Sequence, residues 1–88
     1  MPTRWRIEGF QSDKPTGFSR EETATEREIK LLLQRLAARH LTDDEITDAT
    51  LGSASYFEIN REKHRGEPTL LSTTGTDHHY LATEVKEV

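Results

Sequence analysis

Ile29, Leu32, Leu33, Leu36, Ala37 and His40 recur every three or four residues, so a helix gathers them into one apolar stripe. Glu21, Glu22, Glu26 and Glu28 crowd the start of this region, and Arg35, Arg39 and His40 crowd its end. That distribution matches the positive and negative ends of a helix dipole. Two capping boxes overlap at the start, Ser19 with Glu22 and Thr25 with Glu28. The pattern predicts a helix over about 20–40. A further box, Thr42 with Glu45, opens a short second helix over 43–50, with Ile46 and Ala49 facing inward and Gly52 ending it.

A striped helix needs a second layer to cover its apolar side, and the flanking segments supply strands. In residues 3–10 Trp5, Ile7 and Gly9 alternate with Arg4, Arg6, Glu8 and Phe10, the period of a half-buried strand. Residues 11–18, rich in Ser, Asp, Pro and Gly, read as a loop. After Gly52 the sequence reads as a three-stranded meander. "SASYFEINRE", "PTLLSTT" and "HYLATEVKEV" are separated by the turns "KHRGE" and "GTDH". Phe57, Ile59, Leu81, Thr83 and Val85 are expected on the core side, with Tyr56, Glu58, Tyr80, Ala82 and Glu84 opposite. The expected fold is one α+β domain over 1–88. Its order is β-α-(α)-β-β-β: a four-stranded, mostly antiparallel sheet with one long amphipathic helix packed on one face.

Composition narrows the functional classes. Hydrophobic and charged residues each make up 32% of the 88 residues, so the core is thin and the surface polar. With no cysteine there is no disulfide framework and no thiolate metal site or Cys nucleophile. This suits a reducing compartment, and a cytoplasmic location is expected. No signal peptide and no membrane contact is expected, because no long apolar run is present. The net charge of −4 falls mostly in 19–51, a region that repels phosphate backbones.

The stretch Leu31–Ser53 resembles the first half of a helix-turn-helix, with 53–65 as its recognition helix. Glu58 would then occupy a packing position. The preceding helix would carry Asp43, Asp44, Glu45 and Asp48 toward phosphates, so a strand over 53–62 is the better reading. His40, His64, His78 and His79 are read as too dispersed to converge on a metal. No cofactor and no metal site is expected, and no nucleophile elbow, phosphate loop or zinc-protease motif supports an enzyme.

The surface singled out is the polar sheet face, where alternation gathers Arg4, Arg6, Tyr56 and Tyr80. Tyr and Arg are enriched at the centres of protein interfaces. The expected function is a non-catalytic interaction or regulatory protein of accessory or inhibitor type, with a protein as partner. The alternative is a small nucleic-acid-binding regulator using residues 42–65. An exposed edge strand also offers a route to a homodimer.

Overall fold

The computed structural model describes residues 2–52, 58–74 and 77–85. Strand β1 (Thr3–Gln11) runs through Trp5, Ile7 and Gly9, all buried, while Arg4 and Arg6 stay exposed. It turns back through Ser12 and Asp13, whose φ angles of 49° and 66° make a two-residue left-handed turn. Turns with two positive φ values twist in the sense that antiparallel strands require. Strand β2 (Lys14–Ala24) then pairs antiparallel with β1.

This second strand corrects the sequence reading, which assigned its residues to a loop and to the first turn of a helix. The sheet therefore has five strands, not four. Of the two overlapping capping boxes only Thr25–Glu28 is used: the Thr25 hydroxyl accepts from the Glu28 amide, and the Glu28 carboxylate accepts from the Thr25 amide. Helix α1 accordingly covers Glu26–Ala38. The second box works as expected and opens α2 (Asp43–Leu51) at Thr42, so a 13-residue and a 9-residue helix replace one long helix with a short companion. Residues 20–24 do more as strand than as an extra helical turn. They cover the edge of β1, place Glu21 2.8 Å from Arg4, and bring the Ala24 carbonyl 3.2 Å from the Trp5 indole N–H.

Strands β3 (Ile59–Glu62), β4 (Leu70–Thr73) and β5 (His78–Glu84) form the expected antiparallel meander. Strand β5 closes onto β1, giving the order β2-β1-β5-β4-β3. Arg61 on β3 donates to both carboxylate oxygens of Glu26 at the start of α1, at 3.0 and 3.1 Å, and this ties an edge of the sheet to the helix. The same guanidinium holds the Glu26 carboxyl below its ordinary value against a smaller opposing effect of burial. The core lies between α1 and one sheet face: Trp5, Ile7, Leu71, Tyr80 and Ala82 meet Ile29, Leu33 and Leu36.

In β5 the expected facing is reversed. Tyr80 and Ala82 are buried, whereas Leu81 and Thr83 are turned to the other side. Residues directly opposite across a ladder share a face, and the register sets Ala82 against Ile7 and Tyr80 against Gly9. Gly9 makes room for the ring: a Cβ there would stand 3.1 Å from Tyr80 Cε1, 3.0 Å from Thr16 Oγ1 and 3.2 Å from Phe18 Cβ. Gly9→Val is therefore expected to destabilise the fold by roughly 1–3 kcal/mol through overpacking. Chemical denaturation checks this, and a variant as stable as the parent would show that the ring does not depend on this gap.

Candidate functional site

Among the described residues no helix packs on the second face of the sheet. The ladders lay it out in rows. Glu21, Arg6, Thr83, Leu70 and Glu62 cross all five strands in one row, and Ser19, Glu8, Leu81, Ser72 and Asn60 cross them in the next. Beside them the Phe10 and His79 rings stack with centroids 5.2 Å apart. Leu70, Leu81 and Phe10 are half-buried, and Arg4 and Arg6 are exposed. The face thus has a small aliphatic centre within a rim of both charges.

Arg4 is engaged by Glu21 at 2.8 Å across the β1–β2 ladder, a surface pair of about 0–1 kcal/mol. Among the described residues Arg6 has no carboxylate within 4.0 Å, although Glu21 stands opposite it, because Glu21 is turned to Arg4. Two of the four residues singled out from sequence, Arg4 and Arg6, therefore lie together on this face. Tyr80 does not: it is 6% exposed and belongs to the core. Tyr56, with Phe57, lies outside the described residues. Ile59–Glu62 is strand rather than part of a recognition helix. Leu70 and Leu81 were not singled out; a correct facing of β5 would have exposed Leu81 as an open-face residue.

The helix side carries two further features. A groove of about 460 Å³ runs between α1 and β2, floored by Ile7 and Ile29. Its charged neighbours are already engaged: Arg20 with Glu22 at 2.9 Å, Glu28 with Thr25, and Arg39 with the Tyr80 hydroxyl at 3.3 Å. Ligand pockets combine an apolar lining with polar groups free to converge on the ligand, and here those groups bond to the protein. At the end of α1, His40 and His78 stack face to face, with centroids 3.8 Å apart and ring planes within 3°. The sequence placed His40 at a helix end and His78 in the turn before the last strand, and it did not anticipate this contact. Parallel rings aim their in-plane lone pairs side by side, not at one point. Among the described residues no group of three His, Asp or Glu side chains is arranged to hold a metal ion. Among them, too, no helix is long and apolar enough to cross a membrane.

No protein-family model, no characterised protein and no solved structure matches this chain.

Proposed function

We propose that the chain is a non-catalytic accessory or inhibitor-type protein that binds another protein through the open face of its sheet. The observation that carries this reading is Arg6, exposed and without a carboxylate partner among the described residues, set in the row that also holds the half-buried Leu70. An Arg beside a small apolar centre is a recurrent anchor at protein interfaces, where its stem packs and its fork finds acceptors. Glu8, Glu21 and Glu62 lie among these residues. Their charge favours a partner of mixed polarity over a phosphate backbone, which needs a run of cations.

The test starts with capture of a partner by the intact chain from its source cell. Affinity and thermal stability are then compared across variants. Arg6→Ala is expected to weaken binding by about 1–2 kcal/mol or more and to leave the melting temperature nearly unchanged. Arg4→Ala should cost less affinity, because that guanidinium is already engaged by Glu21. Equal affinity for parent and Arg6→Ala, with the fold intact, would remove the open face from consideration. The exposed β2 edge would then be the next surface to test.

A further inference from the structure

We propose that the stacked rings of His40 and His78 form an acid-sensitive latch, which holds the C-terminal end of α1 against β5 at neutral pH and releases it on acidification. The latch lies on the helix side of the sheet, away from the proposed binding face.

The parts come from three places. His40 follows the last turn of α1, and its amide donates to the Ala37 carbonyl at 3.0 Å. His78 opens β5, two residues before the buried Tyr80 and therefore on the same face of the strand. Tyr80 is fixed from below: its ring meets Phe18 edge-on at 5.8 Å, and its amide donates to Thr73 Oγ1. Its hydroxyl oxygen lies 2.6 Å from His40 Nε2 and accepts from Arg39 Nη2 at 3.3 Å. A guanidinium only donates, so the phenol oxygen accepts from Arg39 and its O–H is left to donate to His40 Nε2. With the phenol as donor, the His40 ring is neutral and carries its own proton on Nδ1, and this is the arrangement the latch uses.

A second proton on His40 breaks the arrangement in two ways. Nε2 becomes a donor, so the phenol proton loses its acceptor beside a buried ring. The new charge also stands against the His78 ring and beside the Arg39 guanidinium. Just before β5, Asp77 is the carboxylate among the described residues that offers compensation: its Oδ1 accepts from the Ser12 hydroxyl at 2.7 Å, and its Oδ2 lies 3.8 Å from His78 Nε2. Although His40 as a residue is exposed, His78 covers one face of its ring. Burial is the largest cause holding its pKa below the ordinary 6.5; the neighbouring His78 and Arg39 add to it, and Asp77 opposes it. A lowered pKa in the latched state means that the contact is complete above 6.5. It weakens as pH falls from there through the latched value, because the open form takes up the proton that the closed form resists. Helix α2 buries no side chain of its own, and the latch lies where α1 hands over to it.

The experiment is amide hydrogen exchange on the intact protein between about pH 7.5 and pH 5, a window in which histidine is the side chain that ordinarily titrates. The amides of Arg39, His40 and Leu41 all bond back into α1 and report the latch directly. Their protection factors are expected to fall several-fold on acidification while those of Ile29–Leu33 hold. His40→Gln keeps an oxygen acceptor for the Tyr80 hydroxyl and removes the titration, so the loss should vanish. His78→Phe keeps a stacked ring and removes the second imidazole, and the His40 ring resonances should then titrate at a higher pH than in the parent. Protection at residues 39–41 that tracks the middle of the helix at every pH would overturn the proposal without any variant. So would a His40 midpoint that His78→Phe leaves where it was.

Discussion

Trp5→Ala is expected to remove about 3–5 kcal/mol of stability, because Trp5 carries the largest buried side chain among the described residues. Trp5 is 2% exposed, and no other residue in the core has a larger side chain. Two losses combine. The indole leaves a cavity between β1 and α1 that a thin core is poorly placed to collapse into. The Ala24 carbonyl also loses the indole N–H that it accepts at 3.2 Å, and that contact pins the end of β2 where the chain turns into α1. Domains of this size have total stabilities near the low end of about 5–15 kcal/mol, so a large share of the variant should be unfolded at ambient temperature. Trp5→Phe separates the two losses, because it restores most of the apolar contact and omits the hydrogen bond. It should recover all but about 1–2 kcal/mol. Urea titrations of the three proteins decide the matter. A Trp5→Ala protein within 1 kcal/mol of the parent would mean that the indole is not the centre of the core.

How much of this was legible in the sequence depends on whether one reading of each segment excluded the other. In β1 the large apolar residues, Trp5 and Ile7, fall on one parity, so the facing could be read directly. In α1 the stripe from Ile29 to Ala37 admits only one rotation. The segment from Ser19 to Ala24 offered two consistent readings. Its Ser19–Glu22 box and its glutamates suit a helix start, and its alternation of Phe18, Arg20, Glu22 and Ala24 with Ser19, Glu21 and Thr23 suits an edge strand. The β1 ladder decided for the strand, with ion pairs offsetting the modest strand propensity of glutamate. The hairpin signal was faint because Ser12 and Asp13 stand where Asn-Gly would announce the turn.

The site was only half legible for a similar reason. "HYLATE" places one bulky residue on each face, Tyr80 and Leu81, so period alone does not choose between them. The choice rests on Gly9, a long-range partner that leaves space for one ring. Once Tyr80 turns inward, His78 turns with it and meets His40 at the end of the helix stripe. No spacing in the sequence announces that contact.

Leu33→Ala is expected to destabilise the protein by about 2–5 kcal/mol, and the informative comparison is with its neighbours on the same helix. Leu33 is fully buried in the apolar cluster that α1 forms with the sheet, whereas Leu31 is 47% exposed. Both substitutions remove the same atoms from the interior of α1 and change helix propensity by the same small amount. Propensity and any effect on the unfolded chain therefore nearly cancel between them. What remains is the difference in burial: Leu31→Ala should stay within about 0.5 kcal/mol of the parent, the range of an ordinary surface substitution. Leu32, half-buried on the wall of the groove beside β2, should fall between the two. The ordering Leu33, Leu32, Leu31 thus measures the rotation of α1 about its own axis, and with it the facing of every residue on the stripe, His40 included. Equal losses at Leu31 and Leu33 would place the helix at a different rotation on the sheet. The latch and the groove would then lose their geometry together, while the open face would be untouched.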